Sequence, residues 1–158
     1  MPGDRGLSLD EDMRGFFDGP VSVMLATADR LNTPDATRVA GLAPATGGRV
    51  RVLISTEARA AHVNVVAGAG VSVLVTNVTN YRSIQFKGTV IEGCSARTPG
   101  DLALMDRHID AFRKAAPVIG ISDAAATGIF PADVVALELE FDEVYNQTPG
   151  VGAGRKIG

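Results

Sequence analysis

The sequence predicts a mainly β domain, a closed antiparallel barrel of about six strands with helices inserted between them. Three observations lead there. Successive stretches alternate apolar and polar residues with the period of two expected of half-buried strands. Turn-forming pairs such as Gly19-Pro20 and Gly47-Gly48 punctuate them. The regular strand–helix alternation of a parallel nucleotide-binding sheet is missing.

In chain order, LSLDEDMRGFFDG reads as a short helix. Ser8 precedes the acidic Asp10 and Glu11, and Leu9, Met13, Phe16 and Phe17 give an apolar edge. The first strand is Val21 to Ala28, with Val21, Val23 and Leu25 alternating against Ser22, Met24 and Ala26. A second strand covers 37–43, where Arg38 stands among uncharged neighbours. A Gly-Gly hairpin leads into the third strand, RVRVLIS, with Val50, Val52 and Ile54 on one face. Residues 57–67 follow as a helix with Thr56 as its cap and Ala60, Val63 and Ala67 as its packing stripe. GVSVLVTN is a strongly apolar, central strand.

The next strand, 82–92, places Ser83, Gln85, Lys87 and Thr89 opposite Ile84, Phe86 and Gly88. Pro99 opens a longer helix to about Ala115, with a buried stripe of Leu102, Met105, Ile109 and Phe112. Its acids, Asp101 to Asp110, are expected on a solvated face. Ser122 caps a further helical turn, and 134–145 is the last strand, with Val135, Leu137, Leu139 and Phe141 alternating. The glycine-rich 148–158 is expected to be a loose tail, or else an arm whose Arg155 or Lys156 reaches a partner's cleft.

The 158 residues suit one domain covering 1–158, with 1–8 loose. Hydrophobic residues at 46% against 21% charged provide a core and exclude wholesale disorder. A net charge of -3 and no Lys/Arg run argue against nucleic acid as a partner. Cys94 is the only cysteine, so neither an intrachain disulfide nor a Cys-rich metal site is expected. His62 and His108 lack ligand-spaced companions, so no metal is expected. The polar start does not read as a signal peptide, and no apolar run approaches a membrane span. No membrane association and a cytoplasmic setting are the expectation.

Two groupings carry chemistry. Ser55 and Thr56 end a strand, helix N–H groups follow, and Arg59 stands one turn later. Hydroxyls, backbone donors and a guanidinium together make a phosphate cradle. Gln85 and Lys87, two apart on one strand face, are ligand donors.

The segments TRVAGLA, RVRVLISTEARAAHV, VSVLVTN and YRSIQFKG, in this order and spacing, resemble the flavin-binding split-barrel family that includes pyridoxamine 5'-phosphate oxidase. The resemblance covers Gly19 to Gly93 best. It implies a six-stranded antiparallel split β-barrel that forms a homodimer and binds FMN in two interface clefts. Carried over by residue, Arg38 contacts the phosphate or ribityl region. Ser55 and Thr56 give hydroxyl and backbone contacts, Arg59 pairs with the phosphate, and Ile54 lends a backbone edge. Gln85 bonds the polar edge of the ring, and Lys87 lines the same wall. Tyr81 and Arg82 either close over the flavin edge or order the bend after Asn80. Ala60 and Ala43 stand where the oxidase has basic residues, which implies a less basic phosphate site. The expected function is an FMN-dependent oxidoreductase acting on an unidentified small redox substrate, with no catalytic residue assigned. The alternatives are a non-catalytic flavin- or small-ligand-binding dimer and a deazaflavin-dependent reductase.

Overall fold

The computed structural model describes residues 10–158. The predicted loose segment 1–8, Leu9 and the role of Ser8 lie outside the described residues. Helix α1 is Glu11–Asp18, capped by the Asp10 carboxylate, which accepts from the Met13 N–H. Strand β1 (Val21–Ala28) pairs antiparallel with β2 (Pro34–Pro44), and β2 with β3 (Arg49–Ser55). Helix α2 (Arg59–Asn64) leads to β4 (Gly70–Asn77) and β5 (Ser83–Ala96). Helix α3 (Pro99–Ala115), α4 (Asp123–Gly128), β6 (Val134–Asn146) and the short β7 (Arg155–Lys156) complete the chain.

The strands run in the order β3-β2-β1-β4-β5-β6, and β6 pairs back onto β3. Every pairing is antiparallel, so the six long strands close into the expected barrel with helices inserted. Closure removes the exposed edges of an open sheet. The inward faces supply the core: Val21, Val23 and Leu25 from β1, Val50, Val52 and Ile54 from β3, and Leu137, Leu139 and Phe141 from β6. Each such side chain contributes roughly 1.5–3 kcal/mol on burial.

Several boundaries and phases differ from expectation. Strand β2 begins at Pro34 because the preceding turn is tight: Asp29 accepts from the Leu31 and Thr33 N–H groups, and Asn32 takes φ 61°. Helix α2 starts at Arg59 with no side-chain cap, so Thr56 does not fill that role. Its buried positions are Ala61 and the following Val65, whereas Val63 is 75% exposed. In α3 the buried stripe runs through Leu104, Met105, His108 and Phe112, and Leu102 turns outward. The stripe rotates because Asp101, expected in solvent, is buried against Arg51 of β3 at 2.6 Å and 2.8 Å.

A register shift lets β5 and β6 bend around each other between Lys87 and Gly88. There a Cβ on residue 88 would lie 1.9 Å from the Glu140 carbonyl oxygen, so only glycine fits. The tail is not a loose end. Arg155 and Lys156 pair with Asn146 and Tyr145, and Val144 exchanges backbone bonds with Ile157 and Gly158.

Candidate functional site

The outward face of the barrel carries two cross-strand rows. In the first, Arg38 of β2 stands opposite Met24 of β1, Met24 opposite Leu74 of β4, Leu74 opposite Gln85 of β5, and Gln85 opposite Tyr145 of β6. In the second, Ala26, Ser72, Lys87 and Glu143 follow one another across β1, β4, β5 and β6. Alternation puts these side chains outside because Val73, Val75, Ile84 and Phe86 point into the core. Arg38 and Gln85 are separated by three strand spacings, ~14 Å.

Gln85 is held from both sides. Its Nε2 donates to Ser72 Oγ at 2.8 Å, and its Oε1 accepts from Gln147 Nε2 at 2.8 Å. Beside it the Lys87 ammonium sits 4.7 Å over the Tyr145 ring, an electrostatic attraction to the π face. The Tyr145 hydroxyl donates to Glu143, and Lys156 of β7 lies 3.8 Å from the same carboxylate. The Tyr145 bond, followed by the charge of Lys156, lowers the pKa of Glu143, and the same bond raises that of Tyr145. A shelf of about 400 Å³ opens here, with Ala26, Ala28, Gly70 and Val71 around Lys87.

At the β3–α2 corner, Ser55 is half-buried while Thr56 and Arg59 are exposed. Arg59 forms no ion pair among the described residues. The N–H groups that lead into α2 are bonded within the chain. Thr56 N–H donates to Asp133 O, Glu57 N–H to Ser55 Oγ, Ala58 N–H to Ser55 O and Arg59 N–H to Glu57 O. The corner offers hydroxyls and a guanidinium, with the N–H groups of residues 56–59 already engaged. Ile54 is removed from the site: its side chain is in the core, and its strand is flanked by β2 and β6, which leaves no backbone edge.

Arg38 turns toward β1, where Nη1 donates to Ser22 Oγ at 3.0 Å, and so away from Ser55 on the opposite flank of β2. It is half-buried with no carboxylate partner among the described residues, and burial lowers its pKa. Burial, helped by the Arg38 charge, pushes His108 of α3 down to about 4, so its ring is neutral near pH 7. Its Nε2 is buried with no hydrogen-bond partner among the described residues. His62 places Nε2 2.8 Å from the Ser55 carbonyl oxygen. Arg82 pairs with Asp12 at 2.6 Å and lies over Phe16, so it ties the bend to α1, while Tyr81 holds φ 61° there.

The structure thus brings Gln85 and Lys87 together, sets Arg38 on the same outer face but turned aside, and keeps Ser55, Thr56 and Arg59 at a separate corner. Sequence reasoning missed Ser72, Tyr145 and Gln147. By the expected alternation Tyr145 falls in the apolar phase of Val135, Leu137, Leu139 and Phe141, and the irregularity between Phe141 and Glu143 turns it outward. Gln147 fell just beyond that strand's expected end.

No family model and no curated protein matches the chain in sequence. Solved structures do resemble it. HupZ of Group A Streptococcus aligns with a TM-score of 0.55 at 14% identity, over 93% of this chain and 100% of that one. An F420 reductase aligns with 0.52 at 19% identity, over 83% and 94%. A candidate pyridoxamine 5'-phosphate oxidase from Lactobacillus delbrueckii aligns with 0.52 at 14%, over 91% and 97%. The chain has the split-barrel fold. At these identities the likeness is one of fold alone. Among the described residues, no helix is long and apolar enough to cross a membrane.

Proposed function

We propose that the chain binds FMN between two copies of itself and works as a flavin-dependent oxidoreductase on a small molecule. The observation that carries this reading is Gln85, an amide fixed on both sides beside the Lys87 ammonium, on a face floored by Met24, Ala26 and Leu74. That combination suits a flat ring with one polar edge. Leu74 is 36% exposed on this face, and a second copy would cover it. Arg59, with the Ser55 and Thr56 hydroxyls, suits the phosphate, while Arg38 stands on the ring-bearing face, turned toward Ser22.

The residues fit the cofactor by donor chemistry. Bound there, FMN would supply the hydride-accepting chemistry. Gln85 keeps one amide N–H after bonding Ser72 and donates it to the polar edge. The Lys87 charge raises the local positive potential, which favours an anionic guest. Arg59 and the two hydroxyls anchor the far, anionic end.

Titration of the cofactor-free protein with FMN, followed by flavin fluorescence, tests this. Saturable binding at one FMN per chain, weakened in Arg59→Ala and Gln85→Leu, is expected. No binding by a folded protein would overturn it. Uptake of a deazaflavin in place of FMN would move the assignment to the reductase alternative, and binding without reduction by any donor would leave a carrier.

A further inference from the structure

We infer that Gln147 is a positioning residue that sets which end of the Gln85 amide faces the guest. This rests on the proposed flavin site. Gln85 Oε1 accepts from Gln147 Nε2 at 2.8 Å, on the β6 side. Gln85 Nε2 donates to Ser72 Oγ at 2.8 Å, on the β4 side. The donor end therefore lies on the β4 side, where Leu74 stands opposite Gln85 and Met24 opposite Leu74, the apolar floor on which a flat guest would lie. A guest whose edge presents lone pairs, such as a ring carbonyl, meets an N–H there. A guest with an N–H edge meets a like group.

Gln147 is itself held in place. Its backbone N–H donates to Ser83 O at 2.8 Å. The next residue, Thr148, accepts from the Ser83 N–H through Oγ1 at 3.0 Å. Pairing of β7 with Tyr145 and Asn146 then fastens the strand end just before it. The C-terminal hairpin thereby acts on the recognition of the guest, though none of its own residues need touch it.

Two substitutions separate this role from a merely structural one. In Gln147→Glu the new carboxylate accepts only, so Gln85 must turn its Nε2 toward it and present its carbonyl to the guest. In Gln147→Ala the Gln85 amide is free to choose. FMN affinity is expected to fall roughly 10-fold in Gln147→Glu, a net loss of about one hydrogen bond. It should fall no more than about threefold in Gln147→Ala. A structural role predicts the reverse order. The loss in Gln147→Glu should persist in about 0.5 M salt, where an exposed charge is largely screened.

The side-chain amide signals of Gln85, followed by NMR without cofactor, give a readout independent of flavin. They should shift in Gln147→Glu. Unmoved amide signals, or equal FMN affinity in wild type and Gln147→Glu, would overturn the role of Gln147 while leaving the flavin site standing. No FMN binding in wild type would instead defeat the site itself.

Discussion

Replacing Asp101 with Asn isolates the contact that seats α3 on the barrel. The carboxylate is 2% exposed and accepts from Arg51 Nε at 2.6 Å, Arg51 Nη2 at 2.8 Å and the Thr98 N–H at 2.7 Å. Asn can keep the Thr98 bond, but not both bonds from the guanidinium. The Arg51 bonds lead the effects that lower the Asp101 pKa from 3.8 to about 2. At about 1.4 kcal/mol per pH unit this amounts to about 2 kcal/mol near neutral pH. Hydrogen bonds to charged groups, about 1.5–3 kcal/mol, give the same size. For a chain of this length the loss lowers Tm by about 4–8 °C. Because the folded pKa is depressed, the stabilisation is present above 3.8 and is lost as pH falls through about 2. The gap between wild type and Asp101→Asn should therefore shrink by roughly half at pH 3. Chemical denaturation at pH 7, 5 and 3 measures it. An unchanged Tm, or a gap independent of pH, would refute the argument that this ion pair holds α3.

Three further outcomes are expected. His108, whose pKa is depressed to about 4 mainly by burial, should make the protein lose up to about 3 kcal/mol as pH falls from about 6.5 to 4; the slope of stability against pH should flatten in His108→Phe, and an unchanged slope would show that the ring is not buried neutral. Gly88→Ala drives a Cβ onto the Glu140 carbonyl and should cost about 3 kcal/mol or prevent folding, which a thermal melt and soluble yield would report. Arg59→Ala should weaken FMN binding about 10- to 100-fold with Tm unchanged, since this side chain is exposed and has no ion-pair partner among the described residues.

What was legible in the sequence followed from local rules. Alternation in VSVMLATA, RVRVLIS and GVSVLVTN placed three strands and their inward faces, because a period of two is a property of the strand itself. Pro99 and the apolar spacing behind it located α3. The phase of α2 was not legible, since small residues surround Ala61 on every side and several stripes satisfy helical spacing equally well. Asp101 read as solvated because its partner, Arg51, is 50 positions away. The tail read as loose because its strand has only two residues, and its order comes from backbone bonds to Val144 that no side-chain pattern announces. In the candidate site, Gln85 and Lys87 were legible from strand phase. The capture of the N–H groups of residues 56–59 by Ser55, Glu57 and Asp133 was not, because it depends on how the chain turns after β3.

Native mass spectrometry of the purified protein, combined with its visible absorption spectrum, tests the central claim most directly. The flavin account predicts a dimer that carries two FMN and shows flavin absorption bands. A colourless monomer that takes up no FMN when supplied would contradict both the shared face and the cofactor.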